Sequence, residues 1–266
     1  MNELQNAKRI VFKVGTSTLT HDTGRLNLRR MRDLARVLSD LKNAGREIVL
    51  VSSGAIGVGV AKLKLERRPH DIGGRQACAA VGQCELMYIY DKLFSEYGHV
   101  TAQVLLTRDC VDDRMRSMNI QNAFDRLLDM GALPIINEND TVAVEEIVFG
   151  DNDTLSALVA RLVRADALVI LTDIDGLHEQ NPCENPNAKL IPVVEEVTAR
   201  VREIAGGTGS SRGTGGMITK IEAADIATRA GIVTVILDGS NPDDLYRLFD
   251  GEQRGTTFLA RREGLK

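Results

Sequence analysis

The sequence predicts an α/β fold built on parallel strands, and three observations carry that prediction. An apolar run at residues 9–14 (RIVFKV) is followed by a helical stripe and then by a second apolar run at 47–51 (EIVLV). Strand, helix and strand in that rhythm form a βαβ unit, whose strands run parallel. Apolar runs of this kind recur along the chain and several end in small or polar residues, where ligands collect in such sheets. Finally, residues 206–220, GGTGSSRGTGGMITK, place a loop rich in Gly and Ser directly before a helical pattern. The 266 residues contain no low-complexity linker, internal repeat or compositional break, so a single domain spanning 1–266 is expected.

The first strand is interrupted by Lys13 and followed by Gly15-Thr16-Ser17. A lysine in a buried strand is costly unless its charge meets an anion. On an edge strand it would simply point to solvent, but the small donors that follow favour a strand end lining a site. Asn27 is placed to cap a helix with Leu28, Met31, Leu34, Ala35, Leu38 and Leu41 on one face, closed by Gly45. The second strand runs into Ser52-Ser53-Gly54-Ala55-Ile56-Gly57. Residues 74–97 read as a helix with little chemistry, 99–107 as a strand, 112–130 as a helix stopped by Gly131, and 133–136 as a short strand. That strand ends in Asn137-Glu138-Asn139-Asp140, which suits a cation, an ammonium group or a metal as well as it suits an ordinary polar turn. Residues 142–149 read as a hairpin-like excursion.

In the stretch 150–166, Leu155, Leu158, Val159, Leu162 and Val163 make a helical stripe with Asp151, Asn152 and Asp153 crowding its first turn. Capping and the helix dipole favour acids there, yet three such side chains in a row exceed what a cap requires. Residues 167–171 are a buried strand leading to Thr172-Asp173, and 181–186 mark an exposed loop. Met217, Ile221, Ala224 and Ala227 continue as a helix ending at Gly231, with further strands at 232–237 and 256–260. Glycines ahead of Met217 let a ligand approach the main chain, and a helix N-terminus offers free N–H groups to an anion. Lys220 stands in that first turn, where a cation is unfavourable for the helix itself. A phosphate would compensate it; the plainer alternative is a surface loop with a solvated lysine. The stretch is no P-loop, because the chain has no Gly-Lys pair, and Ile218 occupies the last glycine's place of a dinucleotide fingerprint after Gly213 and Gly215.

Composition removes other classes. A net charge of −4 argues against bulk nucleic-acid binding. The first ten residues lack the apolar core of a signal peptide, and no apolar run approaches the ~18 residues of a membrane span, so no membrane partner and a cytoplasmic location are expected. Cys78, Cys84, Cys110 and Cys183 form no C-x-x-C pair, which suggests neither a zinc site nor a redox motif. His21, His70, His99 and His178 are isolated, leaving a histidine base or a Ser-His-Asp arrangement unsupported. The letters G-x-S-x-G occur at 209–213 without a strand leading into them, and Ser53 lacks that elbow. What remains is Lys13, Lys220 and acids at Asp140, Asp151, Asp153 and Asp173. That set suits phosphoryl transfer, where the protein mainly positions reactants and neutralises charge. A carboxylate acceptor would need no general base, and two lysines with a magnesium ion would offset its repulsion from a triphosphate.

The ordered set FKVGTS (12–17), VSSGAIG (51–57), NEND (137–140), GDNDTLSA (150–157), LTDIDGL (171–177) and GTGGMITK (213–220) closely resembles the amino acid kinase family, in particular its glutamate-phosphorylating branch. The resemblance runs from about residue 8 to 260. It implies a three-layer sandwich with a mostly parallel central sheet between helices. It also implies ATP-dependent phosphorylation of the γ-carboxylate of L-glutamate, the first step of proline biosynthesis. By motif, Lys13 and Lys220 would contact the transferring phosphoryl group, with Asp153 holding the two lysines in place. Ser53, Asp140 and Asn152 would bind glutamate. Thr172 and Asp173, with Thr214, Gly215, Gly216, Met217, Ile218 and Thr219 and the two lysines, would hold ATP. Magnesium would be carried mainly by the nucleotide phosphates, without a metal site of the protein's own. A homo-oligomer, dimer or tetramer, and feedback inhibition by proline are further expectations from the resemblance.

Two departures from the pattern stand out. Many members continue into a C-terminal domain of the kind found in RNA-modifying proteins, and no such domain is expected here. His178 stands where a tyrosine is common, close to the expected nucleoside pocket. Kinases for acetylglutamate, aspartate, carbamate or UMP would share the lysines and glycines. The acid of N-E-N-D separates them, since it suits an amino group and would repel a nucleotide phosphate. A non-catalytic amino-acid sensor on the same fold would have no use for both lysines and Asp153.

Overall fold

Side chains alternate across a strand, and in the first strand both faces are buried, so apolar layers must cover both sides of the sheet. The computed structural model describes residues 2–21, 23–142, 152–182, 184–206 and 216–261. All but Val142 of the excursion expected at 142–149, together with Asp151 and with Thr214 and Gly215 of the glycine loop, lies outside the described residues. The first half of the chain runs α1 (Asn2–Asn6), β1 (Arg9–Val14), α2 (Thr16–Leu19), α3 (Leu28–Asn43), β2 (Glu47–Ser52), α4 (Ala55–Lys62), α5 (Ile72–Ser95), β3 (Thr101–Leu106), α6 (Arg108–Asp112), α7 (Arg114–Asp129) and β4 (Leu133–Glu138). The second half runs α8 (Asn152–Leu162), β5 (Ala167–Thr172), β6 (Val193–Val194), α9 (Ala199–Gly206), α10 (Met217–Arg229), β7 (Val233–Asp238), α11 (Asp244–Phe249) and β8 (Thr256–Phe258).

The strands form one sheet in the order β3-β4-β2-β1-β5-β7-β8-β6. The strands from β3 to β7 pair in parallel, and β8 alone pairs antiparallel to β7, with β6 parallel to β8 at the far edge. Ile10, Phe12 and Val14 of β1 join a core with Leu34 and Leu38 of α3, Leu86 and Tyr90 of α5 and Leu245 of α11. Val11 joins the opposite core, with Phe124 of α7, Leu155 and Val159 of α8, and Ile221 and Ala224 of α10. The sheet is therefore the middle of three layers, as expected. Lys13 has the parity of Val11, so it points to the α8/α10 side. It sits on a central strand with 6% of its surface exposed, which rules out the edge-strand alternative.

Several boundaries differ from the sequence reading for identifiable reasons. The β4 strand extends through Asn137 and Glu138, so half of N-E-N-D belongs to the sheet. The helix expected at 112–130 starts two residues later, as α7, because the Asp113 side chain accepts from the Arg116 N–H and caps it, and the short α6 before it was not expected. Gly54-Ala-Ile-Gly-Val-Gly hid α4, because glycine is a poor helix former, yet α4 packs closely on α5 through those glycines. A Cβ on Gly59 would stand 1.8 Å from the Cys78 carbonyl oxygen, and one on Gly82 would stand 1.8 Å from that of Ala55. Gly54 itself turns the chain into α4 with φ 103°, a conformation that favours glycine.

Gly82→Ala should separate α4 from α5 and cost about 1–3 kcal/mol, the usual penalty for overpacking. At ~2–4 °C per kcal/mol for a chain of this size, a thermal melt should show a loss of several degrees. An unchanged melting temperature would mean that the two helices are free to move apart.

Candidate active site

Because the strands from β1 to β5 are parallel, their carboxyl ends share one edge of the sheet. There an open cleft of about 430 Å³ is lined by the residues that follow β1, β2, β4 and β5 and by the first turns of α8 and α10. From β1 the sheet first grows outward through β2 to β4 and β3, then resumes on the other side of β1 with β5 and β7. That reversal opens a crevice above β1, as is usual at such switch points.

At its floor, Lys13 Nζ lies 2.6 Å from Asp153 Oδ1, and Lys220 Nζ lies 3.2 Å from Asp153 Oδ2. Thr219 Oγ1 also donates to Asp153 Oδ2 at 2.8 Å. Asp153 is completely buried, and Lys220 is 4% exposed. Asp153 therefore serves two lysines from different elements, which a helix cap would not do. Burial pushes the Asp153 carboxyl up, but Lys13, Lys220 and the Thr219 hydroxyl outweigh it and hold the group below the usual carboxylate range. Two lysines are thus gathered on one carboxylate at the cleft floor.

On the β2/β4 side, Asn152 Nδ2 reaches the Ser52 carbonyl oxygen (3.1 Å), Ser53 Oγ (2.9 Å) and Asn137 Oδ1 (2.9 Å). Asn137 Oδ1 also accepts from the Glu138 N–H, while Asn137 Nδ2 donates to Gln83 Oε1 of α5 at 3.0 Å. Ser52 Oγ hydrogen-bonds the hydroxyl of Tyr90, whose burial pushes its own pKa up. This chain of amides and hydroxyls fixes the Ser53 and Asn152 side chains on the cleft wall. Asp140 stands at the same end, half-buried, with its carboxyl pushed up by burial against the opposing pull of Arg68 and Arg75.

On the β5 side, Thr172 Oγ1 donates to Asp173 Oδ1 at 3.0 Å. The structure thus gathers Lys13, Ser53, Asp140, Asn152, Asp153, Thr172, Asp173 and Lys220 around one cleft. Gly216 is the exposed N-cap of α10, and Met217 and Ile218 do not line the cleft: Met217 packs against the core below. Thr219 contributes through Asp153. His178 does not line the cleft either; its ring nitrogens meet the Ala188 carbonyl oxygen (3.0 Å) and Asp175 Oδ1 (2.7 Å). Burial lowers its pKa, but those two acceptors raise it further, above the ordinary histidine value.

Sequence reasoning missed Gln83, Tyr90 and Arg68. Gln83 was legible, being a polar residue on the same helical face as Ala79, Leu86 and Tyr90. Arg68, which lines the cleft from the connection between α4 and α5, had no local signal.

Residues 8–238 match the family model described as the amino acid kinase family. The chain is 53% identical over 263 residues to the glutamate 5-kinase of Clostridium perfringens, covering 97% of this chain and 98% of that one. It is 50% identical over 266 residues to the glutamate 5-kinase of Listeria monocytogenes, covering 98% and 96%. Among solved structures it resembles the isopentenyl phosphate kinase of T. acidophilum (TM-score 0.65, 17% identity, covering 94% and 100%). It also resembles the carbamate kinase of Giardia lamblia bound to AMP-PNP (TM-score 0.68, 17% identity, covering 97% and 100%). At those identities the structural likenesses speak for the fold alone. Sequence and fold agree: the chain belongs to the amino acid kinase family.

Proposed function

We propose that the chain transfers the γ-phosphoryl group of ATP to the γ-carboxylate of L-glutamate, producing L-glutamyl 5-phosphate for proline biosynthesis. The observation that carries this reading is the Lys13–Asp153–Lys220 triad at the cleft floor, supported by near-full-length similarity to glutamate 5-kinases. A γ-carboxylate oxygen attacks the γ-phosphorus, the bond to the β,γ-bridging oxygen breaks, and ADP leaves with that electron pair. The attacking group is already ionised, so the site needs no base. It needs positive charge to bring an anion up to a triphosphate and to stabilise the charge that develops on the phosphoryl oxygens. Lys13 and Lys220 supply that charge, and Asp153 keeps both aimed.

The two halves of the cleft divide the substrates. Glutamate lies on the β2/β4 side, with Asp140 facing its ammonium and Ser53 and Asn152 beside it. ATP lies on the β5/α10 side, against Thr172, Asp173 and the glycine loop from Thr214 to Thr219. Magnesium would arrive with the nucleotide and would offset the negative charge of its phosphates. Thr172 and Asp173 offer the oxygen donors it accepts, while the described residues hold no cluster of three or more His, Cys, Asp or Glu. An acid at Asp140 disfavours nucleotide monophosphates and N-acetylated acids as acceptors. The paired lysines disfavour a pure sensor. A dimer or tetramer, proline inhibition and a cytoplasmic location complete the proposal; no helix among the described residues is long and apolar enough to cross a membrane.

Purified protein with ATP, magnesium and hydroxylamine should form a hydroxamate from L-glutamate, and much less from aspartate, acetylglutamate or carbamate. A preference for any of those acids overturns the glutamate assignment. Lys220→Ala should lower kcat by ~10²–10³ with little change in glutamate KM, and retention of wild-type kcat would remove Lys220 from the chemistry. Asp153→Asn should lower both kcat and melting temperature, because two lysines lose their counter-ion. Asp140→Asn should raise glutamate KM about tenfold or more, as expected for a lost charge-assisted bond, and spare the KM for ATP. A shift in ATP KM instead would move Asp140 to the nucleotide side.

A further inference from the structure

The cleft contains a third cation that the phosphoryl-transfer triad does not use. Among its described lining residues the positive side chains are Lys13, Lys220 and Arg68. Both lysines are bound to Asp153. Arg68 is exposed and makes no hydrogen bond or ion pair with any described residue, and the same holds for Asp140. The two nonetheless bear on each other electrostatically, since Arg68 lowers the Asp140 carboxyl against its burial. One end of the cleft thus presents Asp140 and Arg68, neither joined to a described residue by a hydrogen bond or ion pair.

Topology sets that end apart from the phosphates. Arg68 lies between α4, which follows β2, and α5, while Asp140 follows β4. Both belong to the half of the sheet on one side of β1. Thr172, Asp173 and Lys220 belong to the β5/β7 half. A substrate whose γ-carboxylate meets Lys13 at the centre carries its α-carbon outward along the β2/β4 side. An α-carbon of an amino acid bears one ammonium and one carboxylate. Asp140 answers the first charge only, and the Ser53–Asn152 group is polar but neutral.

We propose that Arg68 binds the α-carboxylate of the amino-acid substrate and so completes, with Asp140, a recognition site for the zwitterionic end. This rests on the glutamate reading above. The guanidinium offers paired N–H donors that match a carboxylate. Its place on an exposed connection lets it stay hydrated when the cleft is empty and close on the carboxylate when the substrate arrives. The arrangement accounts for selectivity that the triad cannot provide, because every substrate of the reaction presents a γ-carboxylate to the lysines.

Arg68→Gln tests the inference, with Arg68→Lys as the conservative variant. Glutamate KM should rise about 10–100-fold in Arg68→Gln, the range for a lost hydrogen bond to a charged group. Arg68→Lys should recover part of it. ATP KM, kcat at saturating glutamate and melting temperature should stay within a few-fold or a few degrees of wild type. The decisive comparison uses 4-aminobutanoate, which is glutamate without its α-carboxylate, measured as a substrate or as a competitor of glutamate. Its affinity should be the same in wild type and Arg68→Gln, so the preference for glutamate should collapse by the factor that glutamate KM rises. An equal loss for both compounds, an unchanged glutamate KM, or a shift confined to ATP would each overturn the assignment. Wild-type protein that forms no hydroxamate from glutamate would overturn the activity reading itself, and this inference with it.

Discussion

One buried carboxylate between two lysines sets the terms for the rest of the structure. Asp153, on α8, is inaccessible to water, and its partners come from two distant stretches, β1 and α10. For them to meet, β1 must be central, Lys13 must share the parity of Val11, and α8 and α10 must cover that face together with their first turns at the same sheet edge. An unpaired charge at any of these positions would be very costly. The hydrophobic layers are free to tolerate change as long as volume and pattern persist. The triad has no such latitude, since moving any of its three elements strands a charge.

The substrate side is built differently. A run of neutral hydrogen bonds passes from Gln83 through Asn137 to Asn152 and Ser53. Behind that run stands α5, and α5 is held against α4 by glycines with no room for a methyl group. Position is thereby transmitted from backbone contact to side-chain orientation. Buried networks of this kind rigidify a site when every member is satisfied. The β5 side lacks an equivalent, and the nucleotide's own charges suit that asymmetry.

Much of this was legible in the chain, for a physical reason common to the legible parts. Lys13 in an apolar strand, Lys220 against a helix dipole and the crowd of Asp151, Asn152 and Asp153 each violate a local rule, and local violations mark places where distant partners compensate. The strands and α3 were legible through periodicity, with Asn27 accepting from the Arg30 N–H as its position implied. What escaped was set by contacts with no local signature. The α4 helix is written in glycines that only make sense against α5. The start of α7 after Asp113 and the extension of β4 through Asn137 depend on a cap and on pairing with β3. Arg68 sits in a connection whose residues obey no period, so only the folded cleft assigns it a place.

The two carboxyls of the cleft are displaced in opposite directions. Asp153 is held low, so its share of stability is complete above the ordinary Asp value of about 3.9 and is lost only as pH falls through a lower one. Asp140 is pushed up, so its contribution has the opposite sign: stability gained by its proton is lost as pH rises through its raised value. Asp140 is thus a carboxyl whose burial opposes its charge, with no ion pair to any described residue. At the cleft floor Asp153 is held by Lys13 and Lys220 together. In the proposed assignment an ammonium would meet the first and a phosphoryl group the lysines of the second. The γ-carboxylate must approach between them, where it is repelled by the phosphates and attracted by Lys13. On that assignment, the two charged points of the cleft that are costly to bury are the two that binding would use.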